Sequence, residues 1–263
     1  MWFDKFDAVI LYAVAAGMLS VSSALANDAR APSHDWSGFY LGVALGGAQS
    51  AAEPDTKAVH NGYFVANGVG SDRAQVNPTL QENINGQNVT GSVLAGYDFQ
   101  SDSITYGLEA DLTFMAFSQT ESFGPVAYLT VPAAAFTTQT RVESDFQLSF
   151  RPKLGYVTGP LQFHVAAGPS ISRFKTVHKF SDTFGGGNNL TFSDTKTALG
   201  ISSSVGMGYM MSDGWALRSD YVFSYYPRIV GGASEFDGDG RVDFLYDSSF
   251  KSHNLRLALI KGF

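Results

Sequence analysis

Seven charged residues interrupt apolar segments of the chain and could do chemistry there. They are Glu109, Asp111, Arg151, Lys153, Arg218, Asp220 and Arg256. A charge that is removed from water is retained when an opposite charge pairs with it, so one interpretation is a buried ion-pair network. The other interpretation is a charged constriction that selects ions, as rings of charge do in pores.

Other residue types offer less chemistry. A hydrolytic site needs a serine, a histidine and an acid at one point, whereas Ser252 and His253 are adjacent strand residues whose side chains point in opposite directions. Residues 237–240, Asp-Gly-Asp-Gly, are similar to a calcium loop, but Arg241 stands where the third ligand is required. We therefore expect no catalytic residue, no metal ion and no cofactor.

The charges lie on segments that alternate between two kinds of side chain. In one of them, Tyr106, Leu108 and Ala110 share one face, while Glu109 and Asp111 share the other. Alternation with a period of two sends successive side chains to opposite faces of a β-strand. Eight segments show this division, the weakest at about 38–48 and 161–174. One face is nearly free of charge throughout.

The connections between these segments alternate in length. Residues 100–102, 158–160 and 212–214 form tight turns, and the polar segments at about 49–86, 118–143, 175–196 and 227–249 are long. Short turns at one end and long loops at the other are typical of an outer-membrane barrel. The sequence therefore predicts an all-β fold: an eight-stranded antiparallel transmembrane β-barrel with short periplasmic turns and four long extracellular loops.

A soluble barrel that holds a ligand would turn its apolar face inward and leave the charged face in water. Lipid outside and a polar lumen inside satisfy both faces here. Counted from the short-turn end, the charges lie at similar heights, so that Arg151 can face Glu109 and Arg256 can face Asp220. Eight strands leave a lumen just wide enough for side chains, which favours a plug over a filter.

Two features of the predicted strands, prolines inside them and small residues on one inward face, require a structural explanation. Pro152 and Pro169 lie inside strands, where a residue without an N–H cannot donate to the ladder, so we expect β-bulges or shifted strand ends there. The inward face of the sixth segment consists of small residues, namely Ala198, Gly200, Ser202, Ser204, Gly206 and Gly208. We expect water to occupy the space beside them.

Composition narrows the class of protein further. The net charge of −7 argues against nucleic acid as a partner, because binding it needs a basic surface. The chain has no cysteine, which excludes disulfides and thiolate metal sites. A short apolar run at 8–19, followed by Ala24-Leu25-Ala26, is typical of a cleaved signal peptide. We assign 1–26 to that peptide, 27–35 to a short lead and 36–263 to the barrel.

Several blocks of the sequence carry a resemblance to a known family. They are Trp36 to Gly42, Gly96 to Phe99, Tyr106 to Asp111, Leu154 to Tyr156, Trp215 to Tyr221 and Leu255 to Phe263. These blocks resemble strands of the small opacity-type and immunodominant outer-membrane proteins, often called the porin family. The resemblance implies that the terminal strand, ending at Phe263, is recognised by the assembly machinery. Lys261 and Lys153 depart from that family, which usually has an aromatic residue and an arginine there.

The architecture and the resemblance together leave several functions open. The first is a structural, surface-exposed barrel whose lumen is largely plugged by ion pairs, and it is the one that we favour. The second is a narrow porin-like diffusion channel. The third is a barrel enzyme that modifies membrane lipid, or a barrel whose loops bind a ligand such as haem. The expected partners are the bilayer with its lipopolysaccharide, the outer-membrane assembly machinery, and an extracellular ligand or host surface at the loops.

Overall fold

The computed structural model describes residues 34–60, 63–66 and 72–263. The predicted signal peptide and residues 27–33 lie outside the described residues. Eight long strands form the wall: β1 Gly38–Pro54, β2 Ile84–Ser101, β3 Ile104–Ala127, β4 Ala135–Thr158, β5 Leu161–Asp182, β6 Asn188–Met210, β7 Trp215–Ser234 and β8 Phe244–Gly262. The connections contain a short strand, Lys57–Ala58, the helices α1 Tyr63–Ala66 and α2 Arg73–Thr79, and a 3-10 turn, Phe184–Gly186.

The sheet closes on itself. Each long strand pairs antiparallel with its neighbours in sequence, and β1 also pairs with β8. Leu45 of β1 thus lies opposite Gly91 on one side and Leu257 on the other. No helix among the described residues is long and apolar enough to cross a membrane. The predicted eight-stranded antiparallel barrel is confirmed.

Tight turns join the strands at one end of the barrel, where the sequence predicts them. Asp102 and Gly159 adopt positive φ angles of 51° and 56° in the first two turns. Such angles belong to the short hairpin turns whose twist matches that of the paired strands, and glycine and aspartate tolerate them best. The chain therefore reverses within two residues in these two turns and within four, 211–214, in the third.

The two faces of the wall differ as predicted over the half of the barrel next to these turns. Leu45, Val89 and Leu257 point outward and are 73%, 78% and 60% exposed. The seven predicted charges point inward and are buried. His253 lies on the outer face and His164 on the inner face, as their positions in the alternation predict.

At the opposite end, the predicted loop boundaries are wrong. The segments at 118–143, 175–196 and 227–249 are mostly strand, and only 128–134, 183–187 and 235–243 connect strands there. These segments are polar on their outer face, so they resemble loops, but their inner face is apolar at Phe136, Val142 and Phe180. Water replaces lipid around this end, and polar outward residues therefore do not stop the ladder.

β6 and β7 pair only over their lower halves. Their ladder runs from Met210 with Ala216 up to Ile201 with Tyr225, and no pairing between them continues above it. Pro227 follows this point, and the register of β7 with β8 shifts by two residues between Tyr226 and Val230. Because proline has no N–H to donate and the bulge redirects the strand, β7 leaves β6 there.

The expectation of bulges at the two strand prolines is wrong. β4 and β5 are paired at Ser149 with Ser170 and again at Lys153 with Ala166, in one unchanged register. The pairing skips only the residues between these points, and Pro152 and Pro169 both lie in that gap. The two residues that cannot donate therefore share one interruption of one ladder, and no strand has to bend.

A charge introduced on the outer face should distinguish the lipid-facing wall from the wall above it. Leu257→Arg should impair insertion into vesicles, because Arg near mid-membrane on a barrel destabilises it by about 2–4 kcal/mol. Ser193→Arg, on the outer face of upper β6, is the matched control and should insert normally. The measurement is the folded fraction after mixing with vesicles, and equal sensitivity at the two positions would contradict the assigned membrane height.

Candidate functional site

Six of the predicted charges form a closed ring across the lumen, here called the charge ring. Its members are Glu109, Asp111, Arg151, Arg218, Asp220 and Arg256. Glu109 and Asp111 lie on β3, and Arg151, which contacts both of them, lies on β4. Arg151 Nη2 lies 2.9 Å from Glu109 Oε1 and 2.8 Å from Asp111 Oδ2. Arg151 thereby bridges both carboxylates of β3.

The remaining two arginines complete the charge ring. Arg256 joins Asp111 to Asp220, with N–O distances of 2.5 Å and 3.3 Å. Arg218 joins Asp220 to Glu109, with N–O distances of 2.9 Å and 2.6 Å. Each arginine contacts two carboxylates and each carboxylate contacts two arginines. Charge alternates around the whole ring, so no member is buried without an opposite neighbour.

Lys153 attaches to the charge ring through a tyrosine. Its ammonium lies 2.5 Å from Asp98 Oδ2 and donates to the Tyr40 hydroxyl at 3.0 Å. The Tyr40 hydroxyl in turn donates to Glu109 Oε2 at 2.9 Å. The structure thus brings all seven predicted residues into one network and adds an eighth member, Asp98. Four cations then balance four carboxylates.

Glycine makes one of these contacts possible. Asp98 and Lys153 lie on β2 and β4, two strands apart, and Gly107 of β3 lies between them in the register. A Cβ on Gly107 would come within 2.1 Å of the Tyr97 carbonyl oxygen and 2.4 Å of an Asp98 carboxylate oxygen. The two side chains can meet across β3 only because the residue between them has none.

The expectation that water fills the space beside the small residues of β6 is wrong at its glycines. Gly206 lies between His164 and Asp220, whose side chains meet over it at 3.1 Å. Gly200 is covered by the ring of Tyr226, which would lie 2.6 Å from an added Cβ. Side chains of the neighbouring strands therefore occupy this space.

A second level of the lumen lies above the charge ring and is apolar. We call it the aromatic layer, and its large members are Phe117, Phe174, Tyr226 and Phe250. The ring of Phe174 lies 4.9 Å from that of Phe250 and 5.1 Å from that of Tyr226, centroid to centroid. All four side chains are buried. Sequence reasoning missed this layer because Phe117 and Phe174 lie at or beside the ends of the segments that it assigned to strands.

A third level lies at the extracellular mouth. The helices α1 and α2 fold into the barrel and pack against the upper strands in a cluster that we call the cap. Its buried aromatic and aliphatic members include Tyr63, Phe64, Val76, Leu80, Tyr128, Phe136, Phe180, Phe236 and Phe244. The cap contains residues of three of the four extracellular connections as well as strand residues, so it ties those connections to the wall.

Two buried carboxylates hold the cap in place. Asp182 accepts hydrogen bonds from the hydroxyls of Tyr63 and Tyr128 at 2.5 Å and 2.8 Å. Asp243 accepts from the backbone N–H groups of Tyr63 and Phe236 at 2.7 Å and 2.8 Å. Burial, together with the bond to Asp182, raises the pKa of both tyrosine hydroxyls, and burial raises the pKa of Asp243. The tyrosines therefore remain donors at any physiological pH.

Below the charge ring, the periplasmic end holds a partly open cavity of about 230 Å³, lined in part by Trp36, Tyr40, Lys153 and Arg218. Lys261, which replaces an aromatic residue of the resembled family, lies on the rim of the barrel at the same periplasmic end. Its ammonium donates to the Asp213 carbonyl and lies 5.5 Å from the centre of the Trp215 ring. A lysine at this position is therefore accommodated by polar and aromatic groups of the rim.

The residues of the calcium-like segment divide between two environments. Carboxylate oxygens of Glu235, Asp237 and Asp239 lie within 4.8 Å of one another near the surface. The guanidinium of Arg241 lies 3.8 Å from Asp239. Asp243 instead faces inward and belongs to the cap. The segment thus contributes one carboxylate to the cap.

Comparison with known proteins agrees with this architecture. A family described as outer membrane protein beta-barrel domain matches residues 11–246. The chain is 25% identical over 230 residues to the 31 kDa outer-membrane immunogenic protein of Brucella melitensis, covering 82% of this chain and 86% of the relative. It is 23% identical over 196 residues to the 25 kDa outer-membrane immunogenic protein of Brucella abortus, covering 74% and 68%.

Among solved structures, the chain is similar to the Neisserial surface protein A, with 13% identity, a TM-score of 0.34, and coverage of 86% of this chain and 98% of that one. The family match spans most of the strands that form the closed barrel. The chain therefore belongs to the outer membrane protein β-barrel domain family and resides in the outer membrane.

Proposed function

We propose that the protein is a closed, non-conducting barrel that anchors an exposed surface in the outer membrane. The observation that carries this proposal is the filling of the lumen at three successive heights: the charge ring, the aromatic layer and the cap. An eight-stranded barrel has little interior beyond what its own side chains occupy. A solute would have to displace all three levels to pass.

The charge ring supports closure rather than selection of ions. A filter needs charges that can exchange an internal partner for a passing ion. Here each arginine already contacts two carboxylates, and the Arg151 side chain is 0% exposed. Removing one member would leave an uncompensated charge in a confined space, which is strongly destabilising. The ring is therefore better suited to holding strands together than to conducting.

The extracellular end supports the role of an exposed surface. The upper strands continue beyond the apolar wall, and their outer faces carry threonine, serine and charged residues. The cap ties three of the connections to this rigid support, and surfaces of this kind are where binding is usually located. Two relatives bear the name immunogenic protein. We therefore propose that an extracellular ligand or a host surface is contacted here, and that the role is structural rather than catalytic.

Conductance tests the closed lumen directly. The purified wild-type barrel should give no resolved channel openings in planar bilayers, because three levels obstruct the path. Glu109→Ala combined with Arg151→Ala should stay silent too, since the aromatic layer and the cap remain. Steady wild-type conductance, with an ion preference that changes in this variant, would overturn the proposal and support the porin-like channel.

Stability should show that the charge ring acts as a unit. Arg151→Ala should destabilise the barrel by about 3–5 kcal/mol, as for a buried pair that loses one partner, and Glu109→Ala in addition should restore part of this. A double-mutant cycle in urea-driven unfolding from vesicles measures the coupling. The matched control is Arg141 with Glu143, an outward ion pair on the same strand. It should couple by about 1 kcal/mol or less, and equal coupling in the two cycles would contradict the network.

His178 should make the upper barrel sensitive to acid. It lies beneath the cap, within 2.8 Å of the Thr140 hydroxyl and 3.3 Å of the Thr56 hydroxyl, and burial lowers its pKa to about 4. The unfolded chain, with an ordinary histidine pKa near 6.5, binds the proton first as pH falls. Stability should therefore decrease between about pH 6.5 and pH 4, by up to about 3 kcal/mol.

Hydrogen exchange of backbone amides near Thr56 and Thr140, compared at pH 7 and pH 4.5 after correction for intrinsic rates, measures this effect. His178→Gln should remove most of the pH dependence, whereas His253→Gln, on the outer face, should retain it. A wild-type protein whose upper barrel is equally protected at both pH values would refute the prediction.

A further inference from the structure

The outer wall carries an unexplained feature where its lipid-facing half ends. Gly91 of β2 lies directly between Leu45 of β1 and Phe114 of β3 in the ladder. A Cβ added to Gly91 would meet nothing within 4 Å, while Leu45 and Phe114 are 73% and 54% exposed on either side. The result is a groove of about 320 Å³ in the apolar wall, lined also by Val89 and Ala116.

A second groove, of about 450 Å³, continues the first towards the extracellular end. The two grooves share Ala116 and Asp145. The second is lined by Arg173 and Lys175 of β5, both on the outer face. Arg173 lies two residues above Ile171, which is an exposed apolar residue of the same face. The basic groove therefore begins where the apolar wall ends.

The second groove is lined by two cations and two carboxylates, and a third cation borders it. Glu143 contacts both Arg141 and Lys175, with an N–O distance of 3.6 Å to the lysine. Arg173 makes no ion pair with any residue in the described ranges. Within the lining, Arg173 and Lys175 stand against Glu143 and Asp145, and Arg141 at the edge of the groove adds the one cation in excess, in a chain whose net charge is −7. A local positive excess on an acidic protein is suited to an anionic ligand.

We propose that the two grooves together bind one molecule of lipid A, the phosphorylated and acylated anchor of lipopolysaccharide. One acyl chain lies in the groove over Gly91, and a phosphate of the headgroup contacts Arg173 and Lys175. Guanidinium and ammonium groups both bind phosphate, the guanidinium with two parallel hydrogen bonds. An apolar groove directly below a basic one matches a ligand whose phosphates lie above its acyl chains.

The position of the grooves selects lipid A among anionic ligands. They lie at the upper edge of the lipid-facing wall, at the level of the outer leaflet, which consists of lipopolysaccharide. A soluble protein or peptide would have to displace lipid to reach the lower groove. A free anion would bind the basic groove and leave the apolar groove empty. A substitution that fills the apolar groove should therefore weaken the binding of lipid A but not the binding of a free anion.

The experiment measures the binding of bisphosphorylated lipid A to the full barrel in detergent micelles, by native mass spectrometry of the lipid-bound fraction. Arg173→Ala with Lys175→Ala should weaken binding by about tenfold or more, because both phosphate contacts are lost. Gly91→Leu fills the lower groove without a clash and should also weaken binding, although every cation remains. Lys179→Ala with Arg228→Ala removes two outward charges elsewhere on the upper wall and should leave binding unchanged.

Heat-dependent mobility on gels identifies which variants have folded, and Gly91→Leu is compatible with the barrel because its side chain would face lipid. Binding that is unchanged in both groove variants would overturn the proposal. So would equal binding of phosphatidylglycerol with the same dependence on the variants, which would indicate a general anionic-lipid surface. Competition by inorganic phosphate alone, with no effect of Gly91→Leu, would indicate a small-anion site and would equally overturn it.

Discussion

The bilayer supplies no water to a backbone N–H or C=O group, so every such group within it must find a partner in the protein. The pairing of β1 with β8 meets this requirement, because it removes the last free edge of the sheet. The pairing between β6 and β7 follows the same requirement. They are paired from Met210 up to Ile201, which covers most of the apolar wall, and they separate above that level.

Closure with eight strands determines what the lumen can contain. The interior has room for side chains and little else, and charges placed there are retained only if they neutralise one another. The charge ring achieves this by alternation, and Gly107 and Gly206 give neighbouring side chains the space to meet across a strand. Small residues in such a lumen therefore make room for contacts between the side chains beside them.

The sequence predicted the strand number, the turns and both faces of the lower wall, because lipid and the polar lumen impose opposite side-chain types on alternate residues. It could not predict the upper barrel in the same way. On β4 the inward residues are Arg151 and Gln147 below, but Ser144 and Val142 above, since a bulge between Ser144 and Gln147 changes the face on which each residue falls. The alternation of residue types alone does not reveal such a shift. A strand whose outward residues are polar because they face water also has the sequence character of a loop.

The same strands thus carry two opposite patterns. Below the level of this bulge the outside is apolar and the inside polar; above it the outside is polar and the inside is aromatic, as at Phe174 and Phe250. The inversion follows the change of solvent from lipid to water, because an apolar face must be buried in whichever apolar medium is available. Where the two patterns meet, an apolar wall adjoins charged residues within one or two positions of a strand. The lower groove over Gly91 and the basic groove above it lie across that boundary, so an amphipathic ligand is the kind of molecule whose two parts the wall can satisfy at once.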